Sequence, residues 1–280
     1  VGQVVSQLHL GGGTPTFLSD DQLRQLMNML RKKFVLVPGG EYSIEVDPRT
    51  VDESRLAVLA ALGFNRLSFG VQDFEPDVQK AVHRIQPADQ VFKLVAAARR
   101  LGFESVNVDL IYGLPLQTAE SFDRTLDQVK RLRPDRIALY AYAHLPQRFK
   151  PQRRIHAEDL PPAQDKVAML AMAIDVLREA GYDYIGMDHF ALHHDSLAVA
   201  KRQGRLHRNF QGYSTHPDSD LIALGVSAIG KVGAHYCQNA KTLDEYYDAL
   251  RSGELPIVRG LTLSRDDLVR RAVIMAVMCQ

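Results

Sequence analysis

Short β-rich runs alternate with longer amphipathic stretches from Val5 to about Phe190. The runs predict strands over Val5–Leu10, Glu41–Val46, Arg66–Val71, Val106–Tyr112, Ile137–Ala143 and Tyr182–Asp188. Between them, apolar residues recurring every three or four positions predict helices over Asp20–Lys33, Glu53–Leu62, Pro76–Val82, Pro87–Leu101, Ala119–Leu132 and Pro162–Ala180. Ser19-Asp20-Asp21 puts hydrogen-bond acceptors at a helix start, ahead of Leu23, Leu26, Met27 and Leu30 on one face. Gly102 and Gly181 stand where helices need a left-handed stop.

Such alternation implies an α/β fold with parallel strands joined by right-handed crossovers, either a barrel or an open doubly wound sheet. In both, ligands collect at the carboxyl ends of the strands. The stretch Leu145–Pro162, rich in Pro, Arg and Lys, is too long for a tight turn and reads as a surface loop or lid. After Phe190 the alternation weakens, and a smaller unit or an extension of the sheet is expected.

Composition narrows this picture. The 280 residues carry a net charge of +1, so no global field favours nucleic acid or a membrane surface. The longest apolar run, Leu221–Gly230, is shorter than the ~18 residues of a membrane helix. Two cysteines, Cys237 and Cys279, have neither disulfide-scaffold nor metal-site spacing, so a reducing cytoplasm is the simplest setting. The chain begins at Val1 and stops within a periodic pattern, Asp267–Met278; it is expected to be an excised fragment.

The strand ends carry the chemistry. The first runs into Gly11-Gly12-Gly13-Thr14-Pro15, whose glycines let successive N–H groups form an anion-binding concavity or simply make a tight turn. The second ends Glu45-Val46-Asp47-Pro48, with two carboxylates fit to accept hydroxyl or ammonium groups, or to cap a turn. The third ends Gly70-Val71-Gln72-Asp73, and Asp109 lies inside the apolar fourth strand, where it is costly unless paired. Arg84 offers a fork for a carboxylate, or a surface salt bridge. Together these groups suit a zwitterionic ligand bearing ribose hydroxyls better than a bare phosphate. An isomerase-type phosphate site is disfavoured, because the acidic strand ends would repel it.

These motifs resemble a known family. Gly-Gly-Gly-Thr-Pro, Glu-Val-Asp-Pro, Gly-Val-Gln-Asp-Phe and Asp-Leu-Ile-Tyr-Gly-Leu-Pro look like the coproporphyrinogen oxidase branch of the radical S-adenosylmethionine (radical SAM) enzymes. Tyr142-Ala143-His144-Leu145-Pro146, Ile185–Phe190 and His207–Tyr213 extend the likeness over essentially the whole chain. The haem chaperone paralogue, a haem carrier, is the alternative; it usually carries Glu-Ala-Asn-Pro and a Trp-containing motif, and this chain has no Trp.

The resemblance implies an α/β partial TIM-like barrel over residues 1–210, with its first strand and cluster loop missing. Residues 211–280 would be a barrel extension and the start of a smaller C-terminal domain. It implies an oxidoreductase of anaerobic haem biosynthesis. A [4Fe–4S] cluster reduces S-adenosylmethionine, a 5′-deoxyadenosyl radical takes a propionate β-hydrogen from coproporphyrinogen III, and two decarboxylations give protoporphyrinogen IX. It further implies one or two S-adenosylmethionines, held by Gly12, Gly13, Thr14, Glu45, Gln72, Arg84, Asp109, Ala143 and Ile229. Arg148, Arg208 and Gln211 are the substrate-side candidates, since four propionates need local cations. The electron donor is expected to be a flavodoxin-type protein, and the enzyme a cytoplasmic monomer.

One departure is large. The family's Cys-x3-Cys-x2-Cys motif precedes the glycine loop and has no counterpart here, so the chain is expected to offer no metal ligands and to be inactive by itself. His193-His194 is not expected to bind metal, while His144 and His189 stand open as substrate contacts or ordinary hydrogen-bonded histidines.

Overall fold

The computed structural model describes residues 2–217 and 219–279. Contacts divide the chain into two units, Val1–Tyr184 with Asp188–Asp195, and Ile185–Met187 with Ser196–Gln280. The first follows the strand–helix rhythm: β1 (Gln3–Leu10), α1 (Asp20–Lys33), β2 (Phe34–Val46), α2 (Glu53–Ala61), β3 (Arg66–Gln72), α3 (Pro76–Ala81), α4 (Ala88–Arg100), β4 (Ser105–Tyr112), α5 (Ala119–Leu132), β5 (Arg136–Ala141), α6 (Ala163–Glu179), β6 (Tyr182–Gly186) and β7 (His189–Leu192). The helix signals act as expected. Ser19 Oγ accepts the Gln22 N–H while Gln22 returns a bond to the Ser19 N–H, closing a capping box on α1. Thr118 and Ser121 do the same for α5. Gly102 and Gly181 both have positive φ.

The seven strands form one sheet in the order β1-β2-β3-β4-β5-β7-β6, and β1 to β5 pair in parallel. The sheet is open, with β1 and β6 at its edges, which makes it a partial barrel rather than a closed one. Its two faces differ in kind. Ile44, Leu67, Phe69, Val108, Leu110 and Leu139 are buried against Leu23, Met27, Leu59, Phe122, Leu126 and Met169 of the helices, in a single core. The opposite face carries His9, Ser43, Glu45, Ser68, Gly70, Asn107 and Asp109, so the strands alternate apolar and polar residues instead of being apolar throughout. That alternation decides between the two architectures: a doubly wound sheet would cover both faces with helices, whereas here one face is left for a polar site.

Two elements differ from the sequence reading. The strand expected over Tyr182–Asp188 ends at Gly186; Met187 turns at φ +44°, and the chain returns as β7, which pairs antiparallel with β5. Gly186 at φ +150° and Met187 make this tight reversal, and the sequence reading ran one strand through both. The second strand begins at Phe34, not Glu41, because Pro38-Gly39-Gly40 bulges out while the pairing with β1 slips from Val5↔Leu36 to Gln7↔Glu41. Pro-Gly-Gly ordinarily ends a strand, and here it only interrupts one.

The second unit holds α7 (Ser196–Arg202), the antiparallel pair β8 (His207–Asn209) and β9 (Gly212–Ser214), and the antiparallel sheet β10 (Ile229–Val232), β11 (His235–Asn239) and β12 (Ile257–Thr262). Helices α8 (Leu243–Arg251) and α9 (Arg265–Cys279) complete it. Among the described residues no helix is long and apolar enough to cross a membrane.

Candidate functional site

The polar face of the first unit gathers most of the expected residues at the carboxyl ends of β1 to β4. Gly12 and Gly13 follow β1 with φ of +77° and +120°, and a side chain on either would point into open space. Gly11 is glycine for another reason: a Cβ there would collide with His9 Nε2 and stand 2.6 Å from Glu45 Oε1. Glu45, near the end of β2, lies across that loop. Its Oε2 accepts the Gly12 N–H at 3.2 Å, and its Oε1 lies 3.3 Å from His9 Nε2, whose Nδ1 is 2.8 Å from Ser43 Oγ. Burial alone would raise the Glu45 carboxyl, but the His9 bond and charge and the Gly12 N–H hold it below its ordinary value. Glu45 is therefore an anion at neutral pH, with 41% of its side chain still open. Thr14 is exposed and precedes a 3-10 turn at Pro15–Phe17.

Asp47 is committed elsewhere. Arg49 Nη2 donates to its Oδ2 at 2.6 Å, Arg49 Nε donates to both oxygens, and Arg84 Nη2 stands 3.5 Å from Oδ1. Arg84 Nη2 also donates to the Gly70 carbonyl at 2.7 Å, while its buried Nε has no partner among the described residues. The Gln72 amide lies over the same glycine: a Cβ on Gly70 would meet Arg84 Nη2 at 3.0 Å and Gln72 Nε2 at 3.1 Å. The absence of a side chain at Gly70 thus gives these two groups their place.

Asp109 sits on β4 beside Gly70. Asn107 Nδ2 donates to its Oδ1 at 2.7 Å and Ser68 Oγ to its Oδ2 at 3.2 Å. Burial pushes its carboxyl up to about 6, with the negative charge of Glu45 adding to the rise and Arg84 opposing it. Because the folded state holds that proton more tightly than the unfolded chain, the ionised form lowers stability fully above about pH 6, and the cost vanishes below about pH 4. Asp109→Asn is expected to raise unfolding stability by about 1–2 kcal/mol at pH 7.5, with the gap closing at pH 4.5. Urea midpoints at the two pH values test this.

Ala143 follows β5, and its carbonyl accepts Gln152 Nε2 at 3.0 Å, tying it to the loop that carries the exposed Arg148. That loop, expected to be a surface loop or lid, contains 3-10 turns at Lys150–Arg154 and Ala157–Asp159. Three expected residues belong to the second unit. Ile229 opens β10, Arg208 on β8 stacks over the Tyr213 ring at 4.7 Å, and the Gln211 N–H donates to Asn209 Oδ1 at 2.8 Å. His144 Nδ1 lies 3.4 Å from Tyr142 Oη, and His189 meets the Tyr140 ring edge-on at 6.0 Å. His193 pairs with Asp183 at 2.5 Å rather than with His194.

Sequence reasoning missed His9, Ser68 and Asn107, which sit beside the expected carboxylates. The signal was there as polar residues at alternate strand positions, but only the register shows which of them are neighbours.

An open parallel sheet with a glycine loop after β1 and a polar inner face is the architecture of the radical SAM enzymes, and the family model of the radical SAM superfamily matches residues 2–129. The oxygen-independent coproporphyrinogen III oxidase of Pseudomonas aeruginosa is 54% identical over 99% of this chain and 61% of its own length. That of Thermostichus vulcanus is 46% identical over 88% of this chain and 76% of its own length. The solved coproporphyrinogen III oxidase of Escherichia coli, described as a radical SAM enzyme, superposes with a TM-score of 0.97 at 51% identity, covering 99% of this chain and 64% of that one. The chain belongs to the oxygen-independent coproporphyrinogen III oxidase family, and it spans about three fifths of the length of the first of these relatives.

Proposed function

We propose that the polar face binds S-adenosylmethionine and that the chain is the cofactor-holding part of an oxidoreductase that converts coproporphyrinogen III to protoporphyrinogen IX. The observation that carries the reading is the convergence of the ionised Glu45, Asp109, the Gln72 amide and the half-free Arg84 guanidinium beside a glycine loop whose missing side chains leave open space. This donor and acceptor set fits S-adenosylmethionine: carboxylates for its ammonium and ribose hydroxyls, a guanidinium and backbone N–H groups for its carboxylate. Gly12, Gly13 and Thr14 would line its methionyl end, and Ala143 and Ile229 would flank the adenine or a second molecule. When bound and reduced by one electron, it supplies a carbon centre able to take a hydrogen atom.

The [4Fe–4S] cluster does not fit the residues present. Such a cluster takes cysteine thiolates, three of them in this family's motif. Cys237 lies on β11 and Cys279 ends α9, and the described residues contain no group of three or more His, Cys, Asp or Glu placed to hold a metal.

On the substrate, each of two propionates loses one hydrogen atom, one electron and carbon dioxide to become a vinyl group. The chain's part is to orient the reactants and exclude water, and Arg148, Arg208 and Gln211 are the groups to receive propionates. A flavodoxin-type electron donor, a monomeric state and a cytoplasmic location complete the proposal. The relatives are named as oxidases, which supports decarboxylation over haem carriage.

Calorimetric titration of the chain with S-adenosylmethionine is the test. Saturable binding with one or two sites is expected, weakening as pH falls from 7 to 5 because Asp109 takes up its proton near 6. No binding at pH 7 would overturn the cofactor reading. Titration with coproporphyrin III and with haem separates the substrate readings: uptake of the tetracarboxylate, weakened by charge reversal at Arg148 and Arg208, is expected. Stoichiometric haem uptake without tetracarboxylate binding would favour a carrier instead.

A further inference from the structure

The end of β3 is built in an uncommon way. Gln72 has φ +69°, and the Asp73 N–H donates to the Val71 carbonyl at 2.9 Å, closing a three-residue γ-turn. That turn, with a non-glycine residue in the left-handed region, is rare and strained. It coincides with a register slip against β4, where Gly70 faces Asp109 but Gln72 faces Leu110. A strained residue persists only where its surroundings over-determine it, and here they do so with buried polar groups.

The Asp73 carboxylate, 1% exposed, accepts three hydrogen bonds. Glu75 N–H donates at 2.6 Å and Thr125 Oγ1 at 2.8 Å to Oδ1, and Gln117 Nε2 donates at 2.5 Å to Oδ2. Gln117 in turn accepts the Gly113 and Leu114 N–H groups, so the clasp ties the end of β3 to α5 and to the loop after β4. The backbone of the turn is held as well: Gln86 Nε2 donates to the Val71 carbonyl at 2.5 Å and Gln79 Nε2 to the Asp73 carbonyl at 2.9 Å. The Arg84 N–H donates to the Gln79 carbonyl at 2.8 Å, so the same cluster carries the segment that presents the guanidinium.

Nothing in this cluster reaches the polar face itself. Its members are buried behind the turn, while Gln72 is the residue displayed in front, over Gly70 beside Arg84. Simple packing would be served as well by apolar side chains, since buried polar groups are costly unless every partner is supplied. Three donors converging on one carboxylate next to a left-handed glutamine indicate a different task, the fixing of one direction of the chain.

We infer that Asp73, clasped by Thr125 and Gln117, is a positioning residue that holds Gln72 in its left-handed turn facing the ligand, so that its loss acts on S-adenosylmethionine binding through Gln72. The inference rests on the reading of the polar face as a cofactor site. It adds that the site's geometry is set from the helix side of the sheet.

A double-mutant cycle tests it, with S-adenosylmethionine affinity as the readout and circular dichroism to verify the fold. Asp73→Asn keeps the shape but turns an amide N–H2 towards donors; an affinity loss of about tenfold is expected, comparable to that of Gln72→Ala. In the Gln72→Ala background, Asp73→Asn is expected to cost nothing further, an outcome that a merely structural role does not give. Losses that multiply in the double variant, or wild-type affinity in Asp73→Asn, would overturn the inference. If Asp73→Asn does not fold, Thr125→Val, which removes one donor of three, runs the same cycle with the same two outcomes, and Thr125→Ser is expected to restore binding. Failure of the unaltered chain to bind S-adenosylmethionine would overturn the cofactor reading itself, and the inference with it.

Discussion

Glu45→Gln is expected to weaken S-adenosylmethionine binding by about 30- to 100-fold with little change in thermal stability. The carboxylate is ionised at neutral pH, held in place by Gly12 N–H and His9, and still open on one side. Glutamine preserves its shape and the acceptor for Gly12 but removes the charge that a ligand ammonium or hydroxyl group would meet. A charge-assisted hydrogen bond contributes about 1.5–3 kcal/mol, which at 1.4 kcal/mol per decade is about 10- to 140-fold and brackets that range. Asp47→Asn is the informative comparison, because Asp47 already has Arg49 on both oxygens and has less to offer a ligand. An equal loss from both variants in calorimetry would show that general negative charge matters rather than the placed Glu45 carboxylate.

Phe122→Ala is expected to lower unfolding stability by about 3–5 kcal/mol. Phe122 is fully buried near the start of α5, in the core where the helices meet the apolar face of the sheet, and truncation leaves a cavity that surrounding strands cannot close. Domains of this kind are stable by only about 5–15 kcal/mol, so much of the margin goes with one ring. Val167→Ala on α6 is the control, since Val167 is 69% exposed and its change is expected to stay within about 0.5 kcal/mol. Urea denaturation followed by circular dichroism measures both.

What the sequence made legible follows from what it encodes locally. Helices α1 and α5 begin where the sequence places them, and Ser19 with Gln22 and Thr118 with Ser121 close capping boxes there within four residues. Glu45, Gln72, Arg84 and Asp109 were readable as a set because the strand–helix rhythm alone predicts that carboxyl ends of parallel strands share a mouth. The rest depends on pairing between distant segments. His9 became visible only once β1 and β2 were in register, and Ser68 and Asn107 only once β3 and β4 were. Asp73 stands next to a mouth residue in sequence, and only the fold shows that its carboxylate is buried on the helix side, where Thr125 and Gln117 donate to it.

The two-faced sheet separates heritable change into independent channels. Along β3, Leu67, Phe69 and Val71 belong to the dry core, whereas Ser68 and Gly70 between them face the polar side; along β4, Val106, Val108 and Leu110 alternate with Asn107 and Asp109 in the same way. A lineage can therefore retune what the face recognises by substituting every second residue of a strand while the packing that keeps the chain folded is untouched. The clasp at Asp73 is where the channels meet, since one buried carboxylate there serves the architecture on one side and the recognition surface on the other.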